Sequence, residues 1–85
     1  MKINNITHAE TNETRTDDRY RLRIGCEVEI MEDPYIGHPM YLLYIKDNQG
    51  NPKQGILRTS AVYEIEETDN QIIVETRNSV YYLDK

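Results

Sequence analysis

The chain has 85 residues, fifteen acids against ten bases for a formal charge of −5, and one cysteine. That length allows one small domain, which buries roughly 60% of the unfolded chain's surface, and a lone Cys26 excludes an internal disulfide and fits a reducing compartment. The charge disfavours nonspecific attachment to nucleic acid or an anionic membrane, no apolar run nears the ~20 residues of a spanning helix, and the first nineteen residues lack a secretory leader's apolar stretch, so a cytoplasmic location is expected.

Residues 1–18 read as a flexible N-terminal arm ahead of a single small β domain at 19–85. Within the arm, "MKINNITH" offers a short edge strand through Ile3 and Ile6. "AETNETRTDD" has no hydrophobic period, and its threonines and Asn/Asp residues disfavour a helix. In "YRLRIGCEVEIM", Leu22, Ile24, Cys26, Val28 and Ile30 alternate with polar residues and glycine, which predicts the first strand of the domain. Gly25 inside it marks a bulge or bend.

"EDPYIGHP" is a loop by its prolines and glycine. "MYLLYIK" is the second strand, apolar on both faces, so it is either central or carries an exposed apolar patch. "DNQGNPKQG" is a long hairpin loop. "ILRTSAVYEIEE" is the third strand; its alternation slips at "RTSA", and a bulge or sharp bend there lets one strand serve two sides of a barrel. "QIIVET" and "SVYYL" are the fourth and fifth strands, joined by the two-residue link Arg77–Asn78, a link of the kind that tolerates positive φ.

The expectation is an all-β fold: a five-stranded antiparallel barrel or strongly bent sheet. SH3-like closure is preferred to an OB-like one, because no segment suits the helix that an OB-like barrel often carries.

The stretch "LRTSAVYEIEETDNQIIVETRNSVYYL", through "TSAV", "VET" and "NSVYYL", resembles short proteins of phages and other mobile elements of Gram-positive bacteria. The resemblance covers about a third of the chain. It implies a small β domain without a catalytic residue, acting on a host or phage macromolecule rather than in metabolism.

Reactive groups are sparse. Cys26, His8 and His38 are far apart and do not form a metal-ligand pattern. Cys26, on the apolar side of its strand, reads as a buried small hydrophobe. Ser60, Ser79 and Thr59 have no spacing that assembles them with a histidine. The carboxylates Glu27/Glu29 and Glu64/Glu66 lie at spacing two, as on solvated strand faces. No phosphate-loop motif occurs. Neither catalysis, a metal nor a cofactor is expected.

All seven aromatic residues are tyrosines, more than a core of this size hides. A tyrosine patch rimmed by acids is what a protein-binding face presents. The expected function is therefore non-enzymatic protein binding, as a phage- or mobile-element-encoded modulator of a host protein, with Tyr41, Tyr44, Tyr81 and Tyr82 as anchors and Glu64, Glu66 and Glu75 setting charge complementarity. A homodimer through a strand edge is a further option. One alternative is a single-stranded nucleic-acid binder using Arg19, Arg21 and Arg23 as a basic ridge; it ranks lower because Glu27, Glu29, Glu32 and Asp33 follow at once. A structural subunit of a phage particle or other assembly is the third reading.

Overall fold

Two isoleucines near the start of the chain decide the architecture. In the computed structural model, which describes residues 1–85, Ile3 and Ile6 of β1 (Lys2–His8) are fully buried. β1 pairs antiparallel with β6 (Ser79–Asp84) from Lys2↔Asp84 to His8↔Ser79. A register shift between Ile3 and Asn5 turns both isoleucines inward although they stand three positions apart. The strand expected through Ile3 and Ile6 forms, but within a closed ring rather than at an edge, so the flexible arm expected over residues 1–18 is corrected for residues 2–8. Residues 2–8 are a full strand of the sheet, because burying two isoleucines outweighs the polar composition around them.

The remaining strands are β2 (Glu27–Ile30), β3 (Pro39–Lys46), β4 (Ile56–Glu67) and β5 (Gln71–Thr76). Every strand pairs antiparallel with its neighbours in sequence, and β1 with β6 closes the ring, so six strands replace the five expected. Eleven buried side chains form one core, among them Ile3, Ile6, Val28, Leu42, Val74, Tyr81 and Leu83.

β4 behaves as its broken alternation indicates. Ile56–Ala61 pairs with β3, and Val62–Glu67 with β5. Where the β3 register shifts, the buried Thr59 hydroxyl accepts from the Met40 N–H (2.9 Å) and donates to the Ser60 carbonyl (2.8 Å). The side chain thereby replaces a ladder carbonyl that the bulge removes.

The strand expected across 20–30 forms only in its second half. Residues Asp18–Arg21 make one helical turn, α1, with the Asp17 carbonyl accepting from the Tyr20 and Arg21 N–H groups. Tyr20 and Ile24, four apart, pack on the core, whereas Leu22 is exposed. Apolar residues at spacing two here serve a helical turn rather than a pleat. Gly25 ends the turn at φ +93° with its N–H on the Ile3 carbonyl (2.7 Å), and a Cβ there would stand 3.2 Å from Asn48 Cβ.

The two-residue β5–β6 link forms at Arg77–Asn78, and neither residue uses a positive φ. The Thr76 hydroxyl accepts from the Ser79 N–H (3.2 Å) and donates to the Ser79 carbonyl (2.9 Å), which closes the hairpin. The β1–β2 seam is the thinnest in the ring, with one register pair. Beyond it, the free edge of β1 is covered by residues 13–15: the His8 N–H donates to the Glu13 carbonyl and the Arg15 N–H to the Ile6 carbonyl.

With only 16 buried residues, each large apolar member of the core matters. Ile6→Ala should lower unfolding free energy by about 2–5 kcal/mol and Ile6→Val by about 1 kcal/mol. Thr11→Ala, at an exposed position, should change it by less than about 0.5 kcal/mol. Urea denaturation distinguishes this from a mobile arm, for which all three substitutions would be neutral.

Candidate functional site

β4, β5 and β6 run between two ends of the ring, and the ends differ in charge. At the end formed by Ala61, Thr76 and Ser79, the segment that follows β1 folds over the strand termini. Arg15 secures it there. Its Nη1 donates to the Ser79 Oγ (2.7 Å) and the Asn78 carbonyl (3.1 Å), its Nε lies 3.5 Å from Asp17 Oδ1, and its guanidinium sits 3.8 Å over the Tyr20 ring. Arg23 also lies over that ring, at 4.8 Å, and donates to the Tyr81 hydroxyl (3.1 Å).

Beside these groups is a cleft of about 520 Å³ whose walls include Arg19, Arg23, Arg58, Ser60, Asn78 and Tyr81. It contains no acidic residue. Of the three arginines expected to form a ridge, Arg19 and Arg23 both line this cleft. Arg21 does not join them, since its guanidinium is paired with Asp18 (2.9 Å) on the exposed side of α1. Arg58, from the start of β4, takes its place. Nothing in the linear sequence connects Arg15 or Arg58 with Arg23, because only ring closure brings them to one end.

The expected tyrosine–acid patch is divided among four locations. Tyr81 is a core residue, 2% exposed, and not the surface anchor expected. Strand register turns it inward opposite Val74 and Ile6. Burial pushes its phenol up to about 12, against the opposing pull of the Arg23 charge. Tyr44 is half-buried against the core with the Lys53 ammonium 4.7 Å from its ring, and burial raises its phenol as well. Tyr82 faces outward in β6, opposite Asn5 and Ile73. Glu64, Glu66 and Glu75 share a shallow depression with Ile73 and Val80, and Glu64 lies directly across the ladder from Glu75. Like charges opposed in this way repel, and no cation of the chain is paired with either.

Tyr41 belongs to a different surface. On the outer side of β2–β3–β4 the register aligns Glu29, Leu43 and Ile56 in one row and Tyr41 with Arg58 in the next. The Met31 N–H donates to the Tyr41 carbonyl (3.1 Å), which places Met31 at the corner. Met31 is 51%, Leu43 36% and Ile56 55% exposed. From Met31 this surface runs into a groove that also holds Ile30, Ile72, Glu29, Glu32 and Asp33. Sequence reading anticipated an apolar outer face on β3 but not its continuation through Met31.

No three His, Cys, Asp or Glu side chains converge as a metal site. Cys26 is buried; its Sγ donates to the Leu22 carbonyl (3.3 Å), and desolvation raises its thiol. His38 is engaged with Tyr35, ring centroids 4.3 Å apart. No helix is long and apolar enough to cross a membrane. No family model matches the chain, and neither a curated protein nor a solved structure matches it.

The Tyr81 environment has a measurable signature. A phenol that ionises at 10 when unfolded and at about 12 when folded favours folding only while neutral. Its contribution is complete below pH 10 and is lost as pH rises towards 12. Spectrophotometric titration in alkali should show a tyrosine phase near pH 12 that Tyr81→Phe removes. Ionisation of that phenol near pH 10 in the folded protein would contradict the burial described.

Proposed function

We propose that the chain is a non-enzymatic protein-binding domain, and that the outer face of β2–β3–β4 is its docking surface. The observation that carries this reading is the exposed pair Leu43 and Ile56 across β3–β4, next to Tyr41 and with exposed Met31 at the corner, in a row that Glu29 continues and beside Glu32 and Asp33. Isolated exposed apolar residues are ordinary on any surface. Exposed apolar residues adjacent across two strands and at the neighbouring corner, with an aromatic residue beside them, match the composition of an interface core.

The acid border and the opposed Glu64/Glu75 pair favour a partner with basic residues around an apolar centre. The face has shifted from the one expected. Tyr41 remains an anchor, while Tyr82 with Glu64, Glu66 and Glu75 forms a second, smaller acidic face around β5. From the resemblance read in residues 57–83 to phage and mobile-element proteins, we propose a host protein as the target. Because neighbours in sequence are neighbours in the sheet throughout, the ring has no Greek-key crossing of the OB kind, and this supports an SH3-like relation among β2–β6.

Native protein immobilised at low salt should retain a basic protein from the cytosol of a Gram-positive bacterium. Leu43→Asp combined with Ile56→Asp should weaken that binding at least tenfold with little change in melting temperature. Equal retention of every protein by the native and doubly substituted chains would refute the docking surface.

A further inference from the structure

We propose that the arginine-lined cleft at the Ala61–Thr76–Ser79 end of the ring is a binding site for a compact phosphate-bearing small molecule, a phosphate monoester or short polyphosphate. The site adjoins the apolar face of β2–β3–β4 at Arg58, which stands across the ladder from Tyr41, and does not depend on that face having a partner.

The argument begins from ion pairing. The chain carries five more acids than bases, so a guanidinium could readily find a carboxylate. The ion pairs that form use Arg15, Arg21 and Lys85. Arg19, Arg23 and Arg58 have no carboxylate partner, and all three face the same acid-free cleft. Like charges gathered without counter-charge repel. Such an arrangement is suited to an anion from outside the chain.

Arg23 supplies the second part of the argument. It is only partly exposed, and a partly desolvated cation needs compensation. Within the chain it meets the Tyr81 hydroxyl, the Tyr20 ring and the Tyr44 phenol, and no carboxylate. Those contacts also fix its orientation, so Arg23 is held in place while Arg19 and Arg58 are exposed and free to close from the sides. Ser60 and Asn78 add a hydroxyl and an amide to the walls.

Charge and size then select the ligand class. Three guanidiniums call for more than a single negative charge. A phosphate monoester carries about −1.5 to −2 at neutral pH and offers three acceptor oxygens, whereas a lone carboxylate carries one charge. The cleft volume of about 520 Å³ falls in the range of small-molecule sites, about 300–1,000 Å³. A nucleic-acid strand would have to continue beyond the cleft. On the Tyr20–Asn78 side it meets Glu10 and Glu13 beside Arg77 and the already engaged Arg15, and past β4 it meets Glu64 and Glu66 without a paired cation, so the geometry favours a ligand that ends within the arginines.

The test is an NMR titration of the full chain with inorganic pyrophosphate and, separately, adenosine 5′-monophosphate, with sodium acetate as the carboxylate control. Saturable shifts should concentrate on the Arg19, Arg23 and Arg58 Nε–H signals and on the Ser60 and Asn78 amides, and acetate at the same ionic strength should not reproduce them. Arg19→Ala combined with Arg58→Ala should weaken binding at least tenfold. Arg21→Ala, which removes a charge outside the cleft, should leave it within twofold, and circular dichroism should show both variants folded. Shifts that do not saturate, or that Arg21→Ala reduces as much as the cleft variant does, overturn the proposal. Oligonucleotide affinity that rises with strand length well beyond that of the mononucleotide overturns it in favour of a nucleic-acid groove.

Discussion

Closure of the ring by β1 is the constraint on which the other features depend. Ile3 and Ile6 supply two of the eleven core side chains, and β1 supplies both the partner of β6 and, through Lys2 and the adjoining Gly25–Cys26 backbone, the seam to β2. A sheet of β2–β6 alone would leave open edges on both outer strands, the arrangement most prone to pairing with other chains. Closure also dictates where the polar segment after β1 must go. It returns along the free edge of β1 through residues 13–15 and crosses the end of the ring into α1.

The charge distribution follows from that route. Arg15, Arg19 and Arg23 are carried to the end where Arg58 and Arg77 already stand, on β4 and in the β5–β6 turn. The acids Glu29, Glu32, Asp33 and Glu67 border the groove beside Met31 and Ile72. The chain is acidic in sum, yet one end of its surface is basic. The two surfaces proposed for binding accordingly differ in charge: the apolar face is bordered by acids, and the cleft is lined by arginines. Net charge alone concealed the second, because it averages over positions that the fold separates.

The parts of the fold legible in the sequence were those with clean period-two patterns between strong turn formers. β3, β5 and β6, the 47–55 loop and the two-sided role of β4 all have such signals. β1 was legible as a short edge strand through Ile3 and Ile6 but not as the strand that closes the ring, because its bulge places the inward isoleucines at spacing three, which matches neither phase of a pleat. The opposite error arose at Leu22 and Ile24, where an apparent alternation overlapped with the Tyr20/Ile24 spacing of a helical turn. Tyr81 and Tyr82 could not be assigned to faces, since both phases of β6 are apolar and only the register with β5 and β1 decides which is inside. The cleft was half visible: Arg19 and Arg23 stand out beside Tyr20, but Arg58 joins them only through tertiary structure.

Native-state hydrogen exchange followed residue by residue tests the central claim most directly. The amides of Ile3, His8 and Arg15, which donate to the Cys26, Glu13 and Ile6 carbonyls, should be protected, and the Ile3 amide should open with a free energy close to that of Tyr81 and Leu83 in β6, as expected when β1 belongs to the same cooperative unit. Exchange of all three amides at free-chain rates, with β6 still protected, would show an open sheet with a loose arm and would contradict the closed ring.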